Sequence, residues 1–276
     1  MKMISFADGM SVPALGQGTW MMGESLDRRA AEVAALQEGI ELGLTLIDTA
    51  EMYADGEAER VVGEAIAGRR EAVFLVSKAY PQNASGRRLR RACEASLKRL
   101  GTDRLDLYLL HWRGNVALAE TVEAMEELVA AGLVARWGVS NLDTEDMEDL
   151  AAAGGEACAA NQILYNLARR GPEFELIPWL ERRRIPVMAY SPVEQGRLLG
   201  HTVLREVALR HGASAAQVAL AWLMTRPGVL PIPKAASIAH VRENRAAVDL
   251  VLTQGDFAAL EHAFPPPVKR SRLEML

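Results

Sequence analysis

A chain of 276 residues can bury a large core, and half of it is hydrophobic with about a quarter charged, the balance of an ordinary globular protein. The formal net charge of −5 offers no positive field to nucleic acid or to an acidic membrane surface. The opening MKMISFADGMSV lacks the apolar stretch of a signal peptide, and no run reaches the ~18 uninterrupted apolar residues of a membrane span. A soluble cytoplasmic protein is expected, with Cys93 and Cys158 as reduced, buried thiols in periodic apolar segments.

The first element predicted is a hairpin, because MISF and SVPA flank ADGM and Asp8-Gly9 supplies a tight turn. A strand over residues 14–18 follows. Short apolar runs then recur at 45–47, 73–76, 105–110, 134–139, 158–163, 186–189 and 230–232. Helical patterns lie between them, as in RRAAEVAALQEGIELG, EAERVVGEAIAG and RRLRRACEASLKRLG. In the second of these, Ala58, Val61, Val62, Ala65 and Ile66 share one face, and Gly68 suits the end. The interval before the last strand holds two helices, LREVALRHG and SAAQVALAWLMTR.

Strands alternating with helices pair in parallel, since each helix carries the chain back across the sheet. Eight such units match a closed (β/α)8 TIM barrel of the α/β class, with an N-terminal β-hairpin and extra helices after strand 7 and near the C-terminus. An open doubly wound sheet shares the alternation and is the competing architecture. No linker or low-complexity segment divides residues 1–276, so a single barrel domain is expected; FPPPVKRSR is a stiff basic tail.

In a barrel of this kind the loops at the carboxyl ends of the strands build the active site. Reading past each apolar run gives Asp48 and Tyr53, Lys78, His111, Ser140 and Asn141, Gln162, Tyr190 and Ser191, and Lys234. Taken singly, each has a plainer reading: a capping aspartate, a solvated lysine, a core histidine, a turn serine or asparagine, a packed aromatic. Their convergence favours chemistry. A phenol near its ordinary pKa of ~10 donates a proton poorly at neutral pH, and lowering that value by two or three units takes about 3–4 kcal/mol. One ammonium about 4 Å away supplies that order at an effective dielectric of about 20. Lys78 can provide the charge, Asp48 can hold Lys78 protonated, and His111 can donate to a developing oxyanion. A second reading makes Lys78 a Schiff-base nucleophile, as in a barrel aldolase, although Asp48 would favour its ammonium form. A third, from another class, makes the chain a binding or regulatory protein with little turnover. GQGTWMMG is not a Rossmann turn, because it lacks the third glycine and leads into no immediate helix. No metal site is indicated.

The segments GQGTW, LIDTAEMYADGEAERVVGEAI, VSKAY, LDLYLLHW, RWGVSN, NQILYN, PVMAYSP and IPKAAS with HVREN, in this order, resemble the aldo-keto reductase superfamily from about residue 15 to 264. The branch most similar in appearance is that of bacterial methylglyoxal-reductase and diketogulonate-reductase-like enzymes. The resemblance implies a monomer that reduces a small-molecule carbonyl with NADPH, Tyr53 being the proton donor, Asp48 and Lys78 its electrostatic partners, and His111 the residue orienting the carbonyl. It implies cofactor contacts from Gly18, Thr19 and Trp20 at the first strand exit. Ser140, Asn141 and Gln162 would meet the carboxamide, with Tyr190 stacked on the ring. Ser191, Pro192, Val193 and Gly196 would fold over the pyrophosphate, and Lys234, His240, Glu243 and Asn244 would hold the adenosine end. Trp20, Tyr80 and Trp112 would wall the substrate pocket together with His111. Two positions depart from the pattern: Ala235 stands where a serine is frequent, and His240 where an arginine often meets the 2′-phosphate. Tolerance of NADH alongside NADPH is therefore expected, and the short tail implies an open pocket.

Overall fold

The computed structural model describes residues 1–276. The Asp8-Gly9 turn closes an antiparallel hairpin of β1 (Met3–Ser5) and β2 (Ser11–Pro13), with Gly9 at φ 90° and the Asp8 carboxylate accepting the Met10 amide at 3.0 Å. Eight strands follow, each parallel to the next: β3 (Gln17–Gly18), β4 (Leu46–Asp48), β5 (Phe74–Ala79), β6 (Leu107–Leu110), β7 (Trp137–Ser140), β8 (Asn161–Leu164), β9 (Val187–Tyr190) and β10 (Val229–Pro231). Helices α1 (Leu26–Glu41), α2 (Glu57–Ile66), α3 (Gly86–Leu100), α4 (Leu118–Ala130), α5 (Thr144–Ala152) and α6 (Leu176–Arg182) fill the intervals. The longer interval before β10 holds α7 (Thr202–Arg210) and α8 (Ala215–Met224), and α9 (Ile238–Ala246) and α10 (Gln254–Ala263) complete the outer layer.

The row of strands closes on itself. A parallel bridge joins Gly18 to Lys234, and the Gly16 and Gly18 amides donate to the Pro231 and Pro233 carbonyls, each at 3.0 Å. The backbones approach so closely at this seam that a Cβ on Gly18 would stand 2.6 Å from the Ile232 carbonyl oxygen, and only glycine fits. The fold is the (β/α)8 barrel, and the seam rules out an open sheet.

Several apolar runs start earlier in the sequence than the strands they contain. Leu105 makes only an isolated bridge to Val134, because the next residue takes over as acceptor: the Asp106 carboxylate receives the Leu75 amide at 2.8 Å. Val134 and Cys158 are likewise buried ahead of β7 and β8. An apolar run reports burial, which begins below the first ladder bond. At the other end several strands run further than expected and take in Asp48, Lys78, Ser140 and Tyr190, while Gln162 lies within β8 as the run 158–163 implied. These polar residues thus stand on strand backbone, whereas Tyr53, His111, Asn141, Ser191 and Lys234 follow the strand ends.

Period two explains where they point. Leu46, Phe74, Val76, Leu107, Leu109, Ala160, Met188, Leu230 and Ile232 form the apolar filling of the barrel, with Ile4, Phe6 and Val12 of the hairpin region packed beneath. Two residues further along each inward row come Asp48, Lys78, His111, Gln162, Tyr190 and Lys234. One inward register therefore carries hydrocarbon below and polar groups above. Phe6 stacks on Phe74 at 5.2 Å and closes the lower end. The larger core lies between strands and helices, where Val61, Val62, Ala65 and Ile66 of α2 are fully or almost fully buried. The α2 pattern closes as expected at Gly68, in the left-handed region at φ 74°, and α3 is capped in the same way by Gly101 at φ 66°.

Candidate active site

Lys78 is wholly buried at the upper end of the barrel. Its Nζ donates to Asp48 Oδ2 at 2.8 Å and to the Thr49 carbonyl at 2.8 Å, and lies 2.9 Å from Tyr53 Oη. Asp48, 2% exposed, is held from its other side by Gln162 Nε2, which donates to Oδ1 at 2.8 Å. Tyr53 opens a short 3-10 turn after β4, and the chain then leaves through Ala54 (φ 48°), Asp55 (φ 52°) and Gly56 (φ 88°) to start α2. That sharp exit sets the phenol back over the strand it has just left. His111 follows β6, with its ring 5.9 Å from the Tyr53 ring at 74°. Four elements thus bring Asp48, Tyr53, Lys78 and His111 together.

The electrostatics of the group differ from the expectation in one respect. Burial holds the Tyr53 phenol above its ordinary pKa; the Lys78 ammonium pulls the other way, and Asp48 adds to the rise. Desolvating a phenolate outweighs the neighbouring ammonium here, so Tyr53 keeps its proton at neutral pH. Lys78 is itself held above its ordinary value: burial opposes the charge, and Asp48 with Tyr53 outweighs it. Burial, with the repulsion of Lys78, pushes His111 down from 6.5 to about 3. Its imidazole is neutral, and because Nδ1 is buried without a partner, the single proton is better placed on Nε2. In the unfolded chain His111 protonates near 6.5, so its contribution to stability is present above that pH and is lost as pH falls toward 3. We expect the His111 ring resonances to stay at neutral-imidazole positions from about pH 8 to about pH 5, read by NMR, with no inflection of kcat/KM near the ordinary histidine value. A midpoint within that window would overturn the assignment of burial as the controlling term.

Asp48, Tyr53 and His111 face a cleft of about 600 Å³, with Lys78 buried behind them. Gly18, Thr19 and Trp20 line one side, with the Thr19 hydroxyl donating to the Asp48 carbonyl at 2.9 Å and Trp20 44% exposed at the rim. Ser140, Asn141 and Gln162 line the floor. The Ser140 hydroxyl donates to the Gln162 carbonyl at 2.9 Å, and Asn141 (φ 60°) donates to the His111 carbonyl at 3.1 Å. Tyr190 donates to Asn141 Oδ1 at 2.9 Å; burial pushes its phenol up to about 12, against a hydrogen bond from the Leu276 backbone. Ser191, Pro192, Val193 and Gly196 form the far wall, and Lys234 stands exposed at the outer end. Of the eight non-glycine residues with positive φ, four (Met21, Asn141, Ser191 and Gln195) line this cleft, which places the backbone strain at the site.

Other expected positions fall elsewhere. Tyr80 packs edge-on against Trp112 at 5.9 Å and is not on the cleft wall, whereas Trp112 is. His240, Glu243 and Asn244 lie on α9, outside the cleft; His240 is exposed in the first turn with its amide on the Ser237 hydroxyl at 3.3 Å. Glu243 offers its carbonyl to Gln217 Nε2 at 3.0 Å. The tail does not leave the pocket open at the mouth: Met275 and Leu276 fold back to line it, because Arg270 pairs with Glu145 and Glu175 and draws the chain across the barrel.

The model of the Aldo/keto reductase family matches residues 14–264. The chain belongs to the aldo/keto reductase family. Methylglyoxal reductase YeaE of Escherichia coli is 57% identical over 281 residues, covering 100% of this chain and 99% of its own. The glyoxal reductase of Bacillus subtilis is 30% identical, over 94% of this chain and 91% of its own. An aldo/keto reductase of Klebsiella pneumoniae, solved in complex with NADP and acetate, superposes with a TM-score of 0.97 at 56% identity, covering 100% of this chain and 99% of that one.

Within this aldo/keto reductase several cleft residues escaped the sequence reading. Met21 and Met52 flank aromatics that were identified, Trp20 and Tyr53, but a methionine carries no local signal of its own. Ile232 sits two residues before Lys234 on the same inward row, and period two would have found it. Nothing local marks Met275 and Leu276, whose placement depends on ion pairs with residues more than a hundred positions away.

Proposed function

We propose that the protein is an NADPH-dependent reductase of small aldehydes, 2-ketoaldehydes and keto-sugars, with Tyr53 as general acid. The observation that carries this reading is the contact of Lys78 Nζ with both Asp48 and Tyr53 Oη, directly below the cleft. The cleft suits a dinucleotide. Its one acidic side chain, Asp48, is already paired with Lys78, and Lys234 offers a positive charge at the outer end. Gly196, at φ 89°, leaves open space where a Cβ would be. Ser140, Asn141 and Gln162 would bind the carboxamide, and Tyr190 would stack on the ring. When bound, the reduced nicotinamide supplies hydride.

The chain's own residues do the rest. His111 donates through Nε2 and aligns the carbonyl oxygen with the Tyr53 hydroxyl. As the carbonyl carbon accepts hydride, Tyr53 passes its proton to the oxygen. The phenolate formed is stabilised by Lys78, whose charge Asp48 and Gln162 hold in place. Trp20 and Trp112 exclude water from the reacting oxygen. The raised phenol pKa keeps the acid protonated through the neutral range.

The aldolase reading loses support on the same geometry. Lys78 is wholly buried behind Tyr53, off the cleft wall, and is stabilised as an ammonium, which has no lone pair for imine formation. No observation favours a regulatory protein without turnover. The 57% identity to an enzyme named methylglyoxal reductase favours methylglyoxal among the substrates. We place the enzyme in the cytoplasm as a monomer, in keeping with free, buried thiols at Cys93 and Cys158 and with the absence of any helix long and apolar enough to cross a membrane.

The test is consumption of reduced nicotinamide by purified protein with methylglyoxal, 4-nitrobenzaldehyde and a keto-sugar. Methylglyoxal is expected to turn over with NADPH, and with NADH at lower kcat/KM, since Lys234 is the one cation of the cleft available to a 2′-phosphate. Absence of turnover across the panel with both cofactors would refute the proposal.

A further inference from the structure

Glu194 belongs to the wall expected over the pyrophosphate, yet its side chain turns inward and is 5% exposed. It does so from a backbone in the left-handed region, φ 51°, next to Gln195 at 54° and Gly196 at 89°. The buried carboxylate collects four donors. Oε1 accepts Arg169 Nε at 3.1 Å, Arg169 Nη2 at 2.8 Å and Arg197 Nη2 at 3.0 Å, while Oε2 accepts Asn166 Nδ2 at 2.8 Å. Asn166 also holds the Ser191 carbonyl at 2.9 Å. The wall over residues 191–196 is thus fixed from beneath by the loop that follows β8.

Arg169 does not end there. Its remaining nitrogen, Nη1, donates to Glu274. Met275 and Leu276 come next and line the cleft mouth, as Tyr190 does further in. One planar guanidinium therefore has one edge on the cofactor wall and its last donor on the tail. A rigid fork cannot follow a shift of Glu194 without carrying Nη1 along. Arg270 and the partly buried Leu273 anchor the tail independently, so losing Arg169 repoints its last residues without detaching it.

We propose that Arg169 is a positioning residue that couples the cofactor wall, through Glu194, to the tail, through Glu274, so that occupancy of the cofactor end fixes the wall at the substrate mouth. The coupling rests on the reductase reading of the cleft. Glu274 is half exposed, and an exposed pair adds little to stability, so the effect is to be sought in placement.

The test uses the full chain as wild type, Arg169→Met, Arg169→Lys and Glu274→Gln. Tail order is read by tryptic cleavage after the exposed Lys269 and Arg272, with and without saturating NADPH. In wild type NADPH is expected to slow cleavage by about fivefold or more, and in Arg169→Met and Glu274→Gln by less than about twofold. The KM for 4-nitrobenzaldehyde, the longer substrate, should rise about fivefold in both variants, and in Glu274→Gln kcat and the KM for methylglyoxal should stay within about twofold. Arg169→Lys keeps the charge but not the fork; it should match wild type in thermal midpoint and Arg169→Met in cleavage. NADPH protection that is absent in wild type, or equal in Arg169→Met and wild type, overturns the coupling. Wild-type turnover of methylglyoxal is scored separately: its absence sinks the reductase reading, whereas full turnover with unselective cleavage sinks the role of Arg169 alone.

Discussion

Replacing Tyr53 by phenylalanine is expected to lower kcat for methylglyoxal reduction by about a thousandfold, within the 10²–10⁴ range that a positioned general acid contributes. The ring stays and keeps its edge contact with His111, so the cleft keeps its shape. What disappears is the hydroxyl 2.9 Å from Lys78 Nζ, and with it the proton for the developing alkoxide. NADPH affinity, measured by fluorescence titration, should change by no more than about twofold, since the loss belongs to the transition state and not to ground-state binding. Single-turnover reduction with preloaded NADPH isolates the chemical step. A variant that kept a tenth or more of wild-type turnover would show that the proton comes from elsewhere. In the wild-type pH profile, the raised phenol pKa places the alkaline limb of kcat/KM above the ordinary tyrosine value of 10.0.

Lys78→Met should have two separable effects. The first is on rate: without the ammonium the Tyr53 phenolate faces a buried site with no compensating charge, and kcat is expected to fall by about a hundredfold or more. The second is on stability. Asp48 would keep Gln162 but lose its counter-charge in a place 2% exposed, and breaking a buried pair by removing one partner costs about 3–5 kcal/mol. Urea unfolding at neutral pH measures it. The double variant Asp48→Asn, Lys78→Met removes both charges, so much of the stability should return while activity stays low. A double variant as unstable as the single one would mean that lost packing around the lysine stem, not the orphaned carboxylate, sets the cost. The wild-type sign is fixed by the raised lysine: its stabilising share is full below 10.5 and fades as pH climbs through the higher folded value.

The alternation of apolar runs and helical patterns was enough to reach the closed barrel, because each β/α unit declares itself locally through its period. Asp48, Tyr53, Lys78 and His111 were legible for a related reason: each interrupts or follows an apolar run with a group that such a run has no structural use for. The direction of the Tyr53 shift was not legible. It depends on how far burial disfavours the phenolate against one ammonium, and burial is a property of the assembled barrel. The contact by which Gln162 holds Asp48 from behind likewise needs two side chains 114 residues apart. Tyr80 was expected on the cleft wall from the resemblance, but it stands just past the end of β5 at the start of a 3-10 turn, where the strand's alternation no longer sets its direction, and it packs edge-on against Trp112 outside the cleft. The tail was the largest misjudgement, since its course is set by Glu145, Glu175 and Arg169, none of them near it in sequence.

The stacked pair of Phe6 and Phe74 makes the molecule a flask with a stopper, not a tunnel. Substitutions in the stopper answer only to how well hydrocarbon fits hydrocarbon. Those around the neck answer to what must enter, react and leave. A lineage can therefore retool the neck for a new molecule while inheriting the base unchanged.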